Sequence, residues 1–152
     1  MTRLADSARD MRMLLVEDCQ GDVLLFRRSI ARLDLRIDLS VAASAEAALA
    51  QLKDAERPDL IVTDLNLPNM SGLDFLENVK SDPGLRRIPV LVVSSSTFER
   101  DITSAYDRQA SGYFAKPVDA AAYSAMLETI AAYWRNLMQL PSERLPLPKF
   151  HG

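Results

Sequence analysis

The stretch LIVTDLNLPNMSG, residues 60–72, decides how the chain folds. Leu60, Ile61, Val62 and Thr63 suit a buried strand, and the run then meets Asp64. A bare carboxylate there is expensive unless water, a cation or hydrogen bonds receive it. Pro68 and Gly72 follow, with Gly72 expected to close the turn. The strand must therefore deliver Asp64 to a place where its charge is compensated.

Four other short apolar runs surround this one. MLLV (13–16) stops at Glu17 and Asp18; RIDLSVAA (36–43) alternates; IPVLVVS (88–94) is continuous; GYFAK (112–116) precedes Pro117. Helical spacing or helix formers fill the intervals 22–33, 44–55, 71–82, 97–109 and 119–140. Ser44 is a candidate N-cap, and Pro83-Gly84 marks a helix stop. Strand followed by helix, five times over, predicts an α/β fold with a parallel sheet covered on both faces. In such sheets the working site lies at the carboxyl ends of the strands.

The whole chain of 152 residues is about one domain's worth, and 48% hydrophobic content supports a packed core. A net charge of −3 argues against a general nucleic-acid binder. No run approaches the roughly 18 apolar residues of a membrane span, and the first residues lack a secretory core. The single cysteine, Cys19, excludes an internal disulfide and a cysteine metal cluster. It reads as a small apolar thiol opening a helix, not a redox centre. A cytoplasmic location is expected.

Acids gather at the strand ends: Glu17 and Asp18 after the first, Asp64 after the third. If those strands are neighbours, three carboxylates share one crevice and repel. A hard divalent cation such as Mg2+ resolves this and leaves room for a phosphate oxygen. Ser94 adds a hydroxyl and Lys116 an ammonium at the ends of the fourth and fifth strands. A carboxylate in this setting can attack phosphorus and form an acyl phosphate. Taken singly, each residue also has a plain reading: a turn acid, a solvated lysine, a backbone-bonded serine.

LVED (15–18), DLNLPNMSG (64–72), VVS (92–94) and GYFAKP (112–117) occur in that order, each at a strand end. Together they resemble the receiver domains of two-component response regulators, over about residues 11–132. The resemblance implies a doubly wound (βα)5 flavodoxin-like fold with strand order 2-1-3-4-5. It implies Asp64 as phosphoacceptor, Asp18 as direct metal ligand, and Glu17 acting through a metal-bound water. The backbone carbonyl of Asn66 would complete the Mg2+ shell. Ser94 would be the switch hydroxyl, Tyr113 the switch aromatic, and Lys116 the contact to the phosphoryl oxygen. Pro117 matches a family proline often preceded by a cis peptide. Ser95 stands where side-chain size gates access to the phosphoryl group.

The last helix is longer than a receiver needs. About 20 residues span roughly 30 Å, against roughly 17–20 Å for a strand. Its end is expected to expose Tyr133, Trp134, Leu137, Met138 and Leu140, an apolar stripe fit for a partner. AAYWRNLMQLP (131–141) and VEDCQGDVLLFRRSI (16–30) resemble the single-domain regulators of phytochrome-type histidine kinases, where dimers are usual. The expected partners are a sensor histidine kinase of that type and a second copy, met through the fourth helix, fifth strand and fifth helix. Residues 1–10 read as a lead-in, 11–140 as the receiver with its long helix, and 141–152 as a proline-containing tail. That tail is too short for a DNA-binding output domain, so signalling through the receiver's own surface, or phosphate relay, is expected. Two rivals remain: a phosphorylation-independent interaction module, and a magnesium phosphohydrolase. The second would carry another acid two residues after the nucleophile, where this chain has Asn66.

Overall fold

The computed structural model describes residues 11–33, 35–54 and 56–136. The strands are β1 (Met11–Val16), β2 (Ile37–Ala42), β3 (Leu60–Thr63), β4 (Val90–Ser94) and β5 (Gly112–Ala115). The helices are α1 (Gln20–Ala31), α2 (Ala45–Asp54), α3 (Gly72–Ser81), α4 (Glu99–Asp107) and α5 (Ala120–Asn136). All strand pairs are parallel, in the order β2-β1-β3-β4-β5. The fold expected from the sequence is the fold observed.

Burial follows position in the sheet. Every residue of β3 and β4 is buried, as both faces of a central strand require. Edge strand β2 alternates: Asp38 and Ser40 are exposed while Ile37, Leu39 and Val41 turn partly inward. One core cluster joins Leu14, Val16, Ile61, Val90 and Val92 to Ala45, Ala48, Phe75 and Leu76 of α2 and α3. The other joins Met11, Met13, Leu15, Leu60, Val62, Leu91 and Val93 to Phe26 of α1 and Tyr123, Leu127, Ile130 and Trp134 of α5. The sheet is thus covered on both faces.

The helix starts are set locally. The Ser44 hydroxyl accepts from Ala47 N–H at 3.0 Å, and Ser71 from Asp74 N–H at 3.1 Å. At the end of α4, Gln109 takes a left-handed φ of 71°; Ala110 N–H reaches Ala105 O at 3.0 Å and Gln109 N–H reaches Tyr106 O at 2.9 Å. These two bonds form a Schellman cap with Gln where Gly is commoner.

Two expectations are corrected along α5 and before it. Trp134 is buried, because it continues the Tyr123, Leu127, Ile130 stripe by one more helical step and joins the same core cluster. Tyr133, on the other side, is half exposed at 49%, its ring edge-on to Trp134. Leu137, Met138 and Leu140 lie outside the described residues, as do the lead-in 1–10 and the tail 141–152. No peptide among the described residues is cis, including the one before Pro117. Lys116 is aimed instead by its backbone, whose N–H donates to Ser94 O at 2.8 Å.

Candidate phosphoacceptor site

The strand order reverses direction between β1 and β3, and a crevice opens where their carboxyl ends meet. Val16 and Thr63 are paired in register, so Glu17 and Asp64 leave the sheet side by side. Asp64 N–H still donates to Val16 O at 3.2 Å, and Glu17 N–H to Ala42 O at 3.0 Å. The backbone ladder therefore fixes both acids before their side chains make any contact.

The side chains converge on one cation. Lys116 Nζ donates to Asp22 Oδ2 at 2.7 Å, Glu17 Oε1 at 2.9 Å and Asp64 Oδ2 at 3.0 Å. Glu17 and Asp64 are buried, and the lysine side chain is only 13% exposed. The second oxygens are also received: Glu17 Oε2 by Cys19 N–H at 3.2 Å, Asp64 Oδ1 by Asn66 N–H at 3.3 Å. Burial raises the Glu17 pKa above the ordinary 4.5, and the Lys116 bond and charge only partly offset it. For Lys116, burial alone favours the neutral amine, but hydrogen bonds to Asp22, Glu17 and Asp64 overcome it and raise its pKa.

Gly72 and Asn69 shape the loop leaving Asp64, in a division of labour the sequence did not show. Gly72 has no positive φ; the left-handed residue is Asn69, at φ 64°. Gly72 is needed for close approach: a Cβ there would overlap Asp64 O and come within 2.6 Å of Leu65 Cα. Its N–H donates to Leu65 O at 2.8 Å, drawing the start of α3 against the acid's own backbone.

On the other flank, Ser94 is fully buried and its Oγ accepts from Ser96 N–H at 3.2 Å. Ser95 is exposed beside it. Tyr113 O–H donates to Ser96 O at 2.8 Å while its ring packs partly against the core. The Ser96 hydroxyl donates to Asp101 of α4. Ser96 thus links three elements, a role hidden in the sequence among the hydroxyls of SSSTF (94–98).

Of the expected residues, Lys116 gathers Glu17 and Asp64, while Ser94 and Tyr113 bond to Ser96. Asp18 lies exposed after β1, outside the lysine cluster, and the Asn66 side chain is exposed too. Asp22, in the first turn of α1, makes the shortest of the three lysine contacts and was not foreseen. Its signal was present: an acid one turn into the helix that follows the acid-tipped strand. Among the described residues, no group of three or more His, Cys, Asp or Glu is arranged to hold a metal by itself. The carboxylates close on the ammonium instead.

The model of the response regulator receiver domain matches residues 13–128. The chain belongs to the response regulator receiver domain family. Response regulator Rcp1 of Synechocystis sp. is 31% identical over 136 residues, covering 86% of this chain and 92% of Rcp1. Its solved Mn(2+)-bound form superposes with a TM-score of 0.81 at 30% identity, covering 88% of this chain and 100% of that one. The phosphorylated cyanobacterial phytochrome response regulator RcpA gives a TM-score of 0.82 at 34% identity, covering 87% and 99%. Chemotaxis protein CheY-3 of Vibrio cholerae is 34% identical over 127 residues, covering 80% and 92%. This receiver is a signalling protein related to phytochrome response regulators, and no described helix is long and apolar enough to cross a membrane.

Proposed function

We propose that this receiver accepts a phosphoryl group on Asp64 from the phosphohistidine of a sensor histidine kinase and signals through its own surface or passes the phosphate on. The observation that carries this reading is the Asp64 carboxylate held at the β1/β3 crevice between Glu17 and Lys116. An Asp64 oxygen attacks phosphorus, the P–N bond breaks, and its electron pair returns to the imidazole of the kinase. The product is an acyl phosphate whose equatorial oxygens need positive neighbours. Lys116 supplies one, and the Ser94 hydroxyl supplies a hydrogen bond. Tyr113, already bonded to the loop after Ser94, reports the change at the α4–β5 face.

The chemistry of the donor set suits a hard divalent cation: Glu17 and Asp64 are buried carboxylates now neutralised by an ammonium, and Asp18 and Asn66 follow them closely in the chain. Glu17, Asp18, Asp64 and the Asn66 carbonyl would hold Mg2+ or Mn2+, which neutralises phosphoryl oxygens when bound. The solved Mn(2+)-bound form of Rcp1 supports a divalent ion in this fold. The likeness to RcpA, a phytochrome response regulator, supports a phytochrome-type kinase as donor. A homodimer through α4, β5 and α5 fits the half-exposed Tyr106 and Tyr133 on those helices.

The test is site mapping. After phosphorylation by a small phosphodonor with Mg2+, borohydride reduction converts an aspartyl phosphate to homoserine. Homoserine at position 64 is the expected result; its appearance at another aspartate, or nowhere, overturns the assignment.

A further inference from the structure

We propose that Asp22 is a positioning residue: it gives the Lys116 ammonium a carboxylate to keep when Glu17 and Asp64 turn to a divalent cation. The proposal rests on the metal-dependent phosphoacceptor reading above. An ammonium has three N–H donors, and all three are used here, on Asp22, Glu17 and Asp64. Two of those acceptors, Glu17 and Asp64, are the buried acids of the crevice. The third comes from elsewhere, the first turn of α1, and makes the shortest contact.

That arrangement creates a competition. A cation entering the crevice competes with Lys116 for the oxygens of Glu17 and Asp64. A half-buried ammonium stripped of every partner is costly, since unmet buried donors lose their full solvation. With Asp22 in place the lysine keeps one charge-assisted hydrogen bond throughout. Asp22 therefore lowers the cost of releasing the other two acids and so strengthens cation binding. It stays clear of the cation itself. At a helix start its negative charge is also favoured by the helix dipole.

The experiment is calorimetric titration of the full chain with Mg2+, and with Mn2+ as a second probe, in a double-mutant cycle. Asp22→Asn should weaken binding by about tenfold. In a Lys116→Met background the same substitution should change affinity by less than about twofold, because the tethered group is gone. An undiminished loss in that background would make Asp22 a ligand or a long-range charge and overturn the tether. So would an Asp22→Asn chain that binds as tightly as the native one. If the native chain binds neither ion, the metal-dependent reading itself fails, a result distinct from both. A second measurement needs no lysine variant. A nuclear Overhauser contact between Lys116 Hε and Asp22 Hβ should persist at saturating Mg2+; its loss on metal addition contradicts the proposal.

Discussion

Glu17 shows how a single residue can work against stability in the service of a site. Its pKa is raised above 4.5 because burial outweighs the Lys116 contact. A raised acid binds more protons folded than unfolded, so folding stability falls as pH climbs from about 4.5 through the folded pKa. Above that window the penalty is constant. Glu17→Gln, in chelator, should therefore be more stable than the native chain at neutral pH. The gain should shrink toward zero below pH 4.5, where the native acid is protonated in both states. Urea denaturation at a series of pH values checks this, and a destabilised Glu17→Gln at neutral pH contradicts it. Lys116 behaves in the opposite sense: its raised pKa secures its stabilisation at neutral pH, to be lost only as pH rises beyond 10.5. At this scale the sequence announced Asp64, Glu17, Ser94 and Lys116 because each ends an apolar run. Asp22 was illegible by the same rule, since it projects from a helix and its partner lies 94 residues away.

The elements were legible where local chemistry sets them. Ser44 and Ser71 cap α2 and α3, and Pro83-Gly84 follows the end of α3. Trp134 was misplaced, although its spacing from Leu127 and Ile130 already marked it as core. It joins a core cluster that includes β1 residues Met11 and Met13, more than a hundred positions earlier in the chain, which a local reading does not see. The start of α3 carries the sharpest element-level prediction. A methyl at Gly72 meets backbone on the Asp64 side, which cannot swing away as a side chain could. Gly72→Ala should lose about 1–3 kcal/mol by overpacking. It should also slow phosphorylation, because relief of the clash moves Asp64 away from Lys116. Denaturant melts and phosphorylation rates measured on the same variant check both; full activity with native stability would contradict the close-approach account.

Over the whole molecule, the parallel order β2-β1-β3-β4-β5 brings strand-end residues far apart in the chain to one edge of the sheet. Ser94 and Tyr113 both contact Ser96, which reaches Asp101 on α4, so the end of β4, β5 and α4 are joined by three hydrogen bonds. Tyr106 on α4 and Tyr133 on α5 are each half exposed. For the proposed homodimer, Tyr133→Ala should shift sedimentation toward monomer while leaving phosphorylation of Asp64 intact, since Tyr133 makes none of the Lys116 contacts. An unchanged sedimentation profile would remove α5 from the dimer contact. The central claim concerns Asp64 itself. Phosphotransfer from an autophosphorylated phytochrome-type histidine kinase, with Mg2+, should label the native chain and leave Asp64→Asn unlabelled. Labelling of Asp64→Asn at the native rate would contradict the account.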